Sequence, residues 1–410
     1  MSLLTDLSGV NAAQTNIDTV GNNIANVDTT GFKSSSAQFS ALYGNALATT
    51  PGQGVSTSDL AQSFGEGTIS QTGNPLDAAI DGNGFFQLQS SSGVVYSRDG
   101  SFQVNNSGQL VTANGDEVLG FAPTANGAAA NTSGSLQPIQ VNQSNIAPVA
   151  SSTLAVAVNL PSSDAAIDTT TTPFSPTNPK SYNESTTTTV YDSLGTNLSL
   201  TTYFTQVAGS GSPNQWQTNW QLTNSSGTAI SSGAGPTLSF NSSGQLVSGS
   251  GSISAASLPG GAAPLSIAEN FAGTSVSGQS FGVNSITNNG SGGGQLTGVQ
   301  IGSNGVVTGQ YSNGGTQVFG TIALANFVNP QGLVATTGNA WEATTASGPA
   351  TTGAPGTAAL GQLESGALEG SNVDLSTQLV NLITAQQAYQ ANVQSINIEQ
   401  QNFQRLLTIQ

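Results

Sequence analysis

Residues 375–407 read LSTQLVNLITAQQAYQANVQSINIEQQNFQRLL, and this run decides the fold. Leu375, Leu379, Leu382, Gln386, Tyr389, Val393, Ile396, Gln400, Phe403 and Leu407 alternate spacings of four and three, and eight of the ten are apolar. At the other end Leu3, Leu7, Val10, Gln14, Ile17, Gly21 and Ile24 repeat the spacing, with five of seven apolar. A 4-3 apolar seam is the mark of a helix that packs along another helix. Between the two seams lie more than three hundred residues rich in Gly, Ser, Thr and Asn, with no comparable helix. A chain whose ends are made to meet helices while its middle does something else reads as a subunit of an assembly.

Composition narrows the classes. The apolar fraction is 36 %, below the usual level of about 45–50 %. The 51 Gly and abundant hydroxyl residues would suit disorder. Against that, Val, Ile, Leu and Phe recur in short alternating runs bounded by Asn-Gly, Ser-Gly and Asp-Gly turns, the pattern of β-hairpins. Lys33, Arg98, Lys180 and Arg405 are the four basic residues of a chain with net charge −16. Four scattered cations cannot displace counterions from a nucleic acid. No apolar run approaches the ~18–20 residues of a membrane span. Cys and His are absent, which excludes thiol and imidazole chemistry and most zinc and copper sites. The start, Met1-Ser-Leu-Leu-Thr-Asp, lacks the basic region and apolar core of a cleaved signal peptide. A surface of hydroxyls and amides changes little with pH, which suggests an assembly suited to an acidic or variable medium. The expected result is retained assembly from neutral pH to about pH 4, near the carboxylate range; disassembly over that interval, seen by light scattering, would refute it.

The pass along the chain gives mainly β structure with terminal α. The terminal helices, 1–27 and 364–410, form a coiled-coil-like domain. Residues 28–70 read as an extended polar connector. Residues 71–145 and 285–363 make one discontinuous β-domain, and 146–284 an outer β-domain inserted into it, so the subunit is nested and elongated. Asn372 and Asp374 are expected caps for the second helix, because their side-chain oxygens can accept from free amides at a helix start. Leu238–Val247 echoes Phe102–Val111 through a shared Asn-x-Ser-Gly-Gln-Leu-Val core. Internal duplication would explain this; reuse of one good hairpin sequence explains it more simply.

Catalytic chemistry is not visible. Gly290-Ser-Gly-Gly-Gly294 lacks the Lys-Ser/Thr of a phosphate-binding loop, and no helix follows it. Asp116-Glu117, and Glu364 with Glu369, read as solvated charges rather than a glycosidase pair. Asp81-Gly-Asn-Gly84 and Asp99-Gly100 read as turns, since calcium-loop spacing is missing. Trp216 and Trp220 read as core rather than as a sugar platform. No enzyme activity, cofactor or metal is expected.

Four blocks carry a resemblance. Gly21-Asn-Asn-Ile-Ala-Asn-Val-Asp-Thr-Thr-Gly-Phe-Lys33 closely resembles the N-terminal signature of the flagellar rod and hook axial protein family. Glu364-Ser-Gly-Ala-Leu-Glu-Gly-Ser-Asn-Val-Asp-Leu375, followed by Ala385-Gln-Gln-Ala-Tyr-Gln-Ala-Asn392, resembles its C-terminal signature. Gly73–Phe86 is similar to its first β-domain, and Tyr311–Gly314 with Ile322–Leu333 to a later stretch. The blocks cover roughly half the chain, with little in 146–284. The residues matching the signatures are Asn22, Asn23, Ala25, Asn26, Thr30, Gly31, Phe32, Ser371, Asn372, Val373 and Asp374. Gln387 departs from the family, which often has Arg there.

A chain of 410 residues with an insertion resembles the hook members, since rod members are shorter. The resemblance implies a homopolymer: a flexible helical tube, acting as a universal joint, that passes torque from rod to filament and encloses an export channel. It further implies an extracellular location in the flagellum, export without a cleaved signal through a type III apparatus, and contacts with the distal rod, the hook cap and the hook–filament junction protein. Subunit packing then falls to Leu3, Leu7, Val10, Ile17, Ile24, Leu375, Leu379, Leu382, Tyr389, Val393, Ile396, Phe403 and Leu407. Phe39-Ser-Ala-Leu-Tyr43 resembles a short export-gate motif. The alternatives are a distal-rod-type flagellar protein and a β-rich secreted surface adhesin. No nucleic acid and no membrane insertion are expected.

Overall fold

The computed structural model of the chain describes residues 3–42, 53–124, 134–208, 215–255 and 258–408, and the side chains of Leu3 and of residues 406–408 lie outside the description. Two compact units result: Met1–Gln143 with Gly298–Gln310 and Thr316–Gln410, and Ser144–Thr297 with Tyr311–Gly315.

The first unit holds helix α1, Leu3–Ala25, and helix α2, Leu375–Thr408. Asp374 caps α2: its Oδ1 accepts the Thr377 N–H at 2.6 Å, and the backbone and hydroxyl of Thr377 hold the Asp374 carboxyl below the ordinary value. Asn372 does not cap the helix. It accepts the Ser34 N–H and donates to the Ser63 and Gly65 carbonyls instead. Residues 28–70 are not an extended connector either. Strands β1, Ser35–Ala41, and β2, Val55–Gln62, pair antiparallel with a register shift after Gln38. The hairpin lies along α1, where the Ser8 hydroxyl accepts the Val55 N–H at 3.1 Å.

The larger sheet of this unit joins both halves of the sequence. Its order runs 296–301, 306–311, 316–322, 117–121, 85–90, 93–97, 340–342, 334–336. Phe85, Tyr96, Phe327 and Trp341 fill its core with edge-to-face rings 4.7–6.1 Å apart. Residues 362–369 are strands rather than part of a helical end: Gln362–Ser365 pairs with Ala78–Asp81, and Ala367–Glu369 with Ile69–Gln71.

The second unit is a sandwich of two sheets. Strands 184–191, 197–206, 215–223, 229–240 and 246–248 form one sheet in chain order. In the other, Thr153–Pro161 runs parallel to Leu265–Asn270 and Ser275–Ser277 and antiparallel to Gly282–Asn288. Period-2 alternation sends Leu154, Val156, Val158 and Leu160 inward to meet Leu200, Phe204, Trp216 and Trp220. Both tryptophans are therefore core, at 0 % and 4 % exposure. The repeated hairpin sequence is one turn used in both units. Asn105 Oδ1 accepts the N–H groups of Ser107 and Gln109, as Asn241 Oδ1 accepts those of Ser243 and Gln245. Gly108 and Gly244 supply the positive φ, 78° and 73°.

Candidate assembly interface

The two helices run antiparallel. Asn23 Nδ2 reaches Gln378 Oε1 at 3.4 Å, and Gly9 abuts Asn392, whose amide a Cβ would approach to 2.9 Å. Carried to Leu3, this register ends opposite Ile398, so the turn bearing Phe403 extends past α1. The buried line on α1 is Asp6, Ala13 and Val20, with Asn23. On α2 it passes through Ala385, 2 % exposed, with Leu382, Tyr389, Asn392 and Ile396 half-buried. This inner seam keeps the 4-3 spacing; on α1 it lies one residue away from the apolar line and uses mostly small and polar side chains, while on α2 it shares Leu382, Tyr389 and Ile396 with that line.

The apolar line read from the sequence is only partly covered: Leu382, Tyr389 and Ile396 join the inner seam, while other members stay open. Leu7, Leu375, Leu379 and Phe403 are exposed, as are Leu4, Val380, Ile383 and Ile398 beside them. Val10, Ile17, Ile24 and Val393 are half-buried, while Gln14, Gly21, Gln386 and Gln400 are exposed. Leu3 and Leu407 lie outside the described side chains. Exposed apolar side chains clustered on one helix form a surface suited to interaction.

The N-terminal signature anchors α1. Asn23 holds both backbone groups of Ser35, donating to its carbonyl at 2.7 Å and accepting its N–H at 2.9 Å. Asn26 closes the helix against Asn22 and takes the Thr29 hydroxyl. The Thr30 carbonyl accepts from Asn339 at 2.6 Å. Gly31 sits at φ 67° with its N–H on the Glu369 carbonyl at 2.7 Å, and a Cβ there would lie 2.6 Å from the Arg98 backbone. Only glycine meets both demands without strain. Ala25 is exposed and Phe32 half-buried. In the C-terminal signature, the turn leading into α2 closes through Ser371 Oγ, which accepts the N–H of Val373 at 3.3 Å. The Val373 side chain is buried.

Behind the signature lies a buried charge cluster. Glu369 is 0 % exposed, Lys33 2 % and Arg98 4 %. Glu369 Oε1 accepts from Lys33 Nζ at 2.5 Å and from the Gly67 N–H at 2.8 Å. Its Oε2 accepts from Arg98 Nη1 at 3.0 Å. Lys33 Nζ also donates to the Gly65 carbonyl, and Arg98 Nη2 to that of Gly82, both at 2.8 Å. Burial pulls the Lys33 ammonium below its ordinary 10.5, against the Glu369 carboxylate, which holds it up. Glu369 is therefore not a solvated charge; it joins the N-terminal signature, the first β-domain and the C-terminal signature. No local pattern reveals this, because the three residues are far apart in sequence. The available signal is scarcity: half of the four basic residues are spent here. Among the described residues no His, Cys, Asp or Glu group is placed to hold a metal ion, and no helix is long and apolar enough to cross a membrane.

Comparison with known proteins agrees with the order of these parts. Family profiles match as follows: flagella basal body rod protein at residues 3–33, flagellar hook protein FlgE/F/G D1 domain at 79–165, flagellar basal body protein FlaE D2 domain at 159–291, and flagellar basal body rod FlgEFG protein C-terminal at 364–409. Flagellar hook protein FlgE of Escherichia coli (strain K12) is 39 % identical over 409 residues, which cover 98 % of each chain. The chain belongs to the flagellar hook protein family. The FlgE of Salmonella typhimurium is 38 % identical over all of both chains, and that of Treponema pallidum 31 % identical over 96 % of each. The crystal structure of Helicobacter pylori flagellar hook protein FlgE2 shares the fold, with a TM-score of 0.54 at 15 % identity over 72 % of this chain and 99 % of that one. In this hook-family chain the two signatures meet at one buried anchor, and the open apolar faces lie on the helices that the anchor holds.

Proposed function

We infer that the chain is the structural subunit of the flagellar hook, a homopolymer that forms a helical tube. The observation that carries this reading is the pair of long terminal helices whose mutual contact leaves Leu7, Leu379, Val380, Ile383 and Phe403 exposed. A monomer gains nothing from exposing Leu379, Val380 and Ile383; a polymer covers them. Membership of the hook family over the full length supplies the tube as the form of that polymer.

On this reading the tube bends as a universal joint between rod and filament and encloses a channel. Its neighbours are the distal rod, the hook cap, the hook–filament junction protein and a type III export apparatus, and export proceeds without a cleaved signal. Absence of Cys suits a chain that is threaded unfolded, since no crosslink can trap it. Phe39, on β1, is the residue proposed for the export-gate motif, while Tyr43 lies outside the described residues; Phe39→Ala should lower secretion, and normal secretion would refute the motif. No catalytic role is proposed. A rod-type protein would share the helices but lack residues 146–284, whose described part here folds as a two-sheet sandwich. Electron microscopy of the purified chain under polymerising conditions tests the inference: tubes are expected, and persistent monomers would overturn it.

A further inference from the structure

Glu269 occupies the strand Leu265–Asn270 at a position that alternates with the core residues Leu265 and Ile267. The pleat therefore turns it inward, where it is 3 % exposed. Neither carboxylate oxygen has a hydrogen-bond partner. In register beside it stand Leu154 and Gly251. From the facing sheet, a Cβ on Gly235 would lie 3.5 Å from Glu269 Oε2, so the missing side chain leaves room for the carboxyl. The Thr218 hydroxyl, which that same Cβ would strike, gives its proton to the Pro236 carbonyl at 2.7 Å. The strands packed around Glu269, residues 153–161, 250–255, 215–223 and 229–240, carry no charged side chain at all. Nothing in this environment stabilises a carboxylate, and burial raises the group from 4.5 to about 7.

We propose that the Ser144–Thr297 unit has a proton-operated core, in which neutral Glu269 lets the two sheets close and its ionisation favours opened forms that bring the carboxylate to water. The folded state binds this proton more tightly than the unfolded chain. Its contribution to stability is therefore complete below the unfolded value near 4.5, declines as pH rises, and is lost once pH passes about 7. The unit tightens on passing from a neutral to an acidic medium, the opposite of the usual acid response of paired carboxylates. Asp164 and Glu184 in the same unit are also raised, Asp164 by burial and Glu184 by burial and the charge of Asp164. They act with the same sign, so the informative quantity is a difference between variants.

The test is hydrogen exchange of the full chain, read on peptides covering 215–223 and 265–270 at about pH 5 and about pH 8 and corrected for intrinsic rates. The wild-type opening equilibrium should rise between the two, by up to about 70-fold, the share of the full shift that falls between these pH values. Glu269→Gln should cut that rise at least about tenfold. An equal rise in both proteins overturns the proposal. Should the variant fail to fold, a carbon-13 titration of the Glu269 carboxyl in the wild type decides: a midpoint near 7 supports the switch, and one in the ordinary carboxylate range refutes it.

Discussion

Glu369→Ala is expected to destabilise the first unit by about 3–5 kcal/mol, because it leaves two buried cations without their anion. Lys33 Nζ and Arg98 Nη1 would keep only backbone carbonyls as partners. The Gly67 N–H would also lose its acceptor. Urea unfolding, followed by exchange of peptides covering 78–100 and 362–370, measures the effect. A second variant separates electrostatics from packing. Replacing all three residues by apolar ones, Lys33→Met, Arg98→Met and Glu369→Leu, removes every buried charge and should recover most of the loss. A single-variant cost under about 1 kcal/mol would show that water reaches the cluster and that the anchor is weak.

The second large effect concerns assembly rather than folding. Leu379 and Ile383 are 45 % and 55 % exposed, so Leu379→Ser with Ile383→Ser should change monomer stability by no more than about 1 kcal/mol. In a polymer each apolar side chain contributes about 1.5–3 kcal/mol on burial. About half of each is already covered in the monomer, so losing both should raise the critical concentration for tube formation about 10–100-fold. Sedimentation of tubes against total protein reads this directly. Polymerisation at the wild-type concentration would mean that neighbouring copies do not cover this face.

These two predictions rest on features of unequal visibility in the sequence. The β character of the second unit is legible because stretches such as 185–204 alternate and Asn241 announces its turn, as Asn105 does in the first unit; the pairing of its strands into two sheets is not, since Thr153–Pro161 takes partners more than a hundred residues away. The β1–β2 hairpin is not legible either, since Ser35–Ala41 and Val55–Gln62 are mostly polar and most of their residues are exposed. The inner helical seam is hidden for a related reason. Hydrophobic periodicity finds Leu and Ile, whereas Asp6, Gly9, Ala13 and Asn23 pack by being small or by pairing. Asn372 resembles a cap because its neighbourhood starts a helix; its amide instead bridges the chain at Ser34, Ser63 and Gly65. The cluster around Glu369 cannot be read locally, since a charged residue looks solvated until its distant partners are known.

Those distances have a kinetic consequence. Glu369 lies 336 residues after Lys33 and 271 after Arg98. The logarithmic growth of loop entropy makes such closures tolerable at equilibrium, but a high contact order makes them slow. A chain emerging from its N-terminus would present Lys33 and Arg98 long before the anion that lets them be buried. Docking of the N-terminal signature is thereby postponed until almost the entire polypeptide is available, and the first unit matures late although the sequence begins with it.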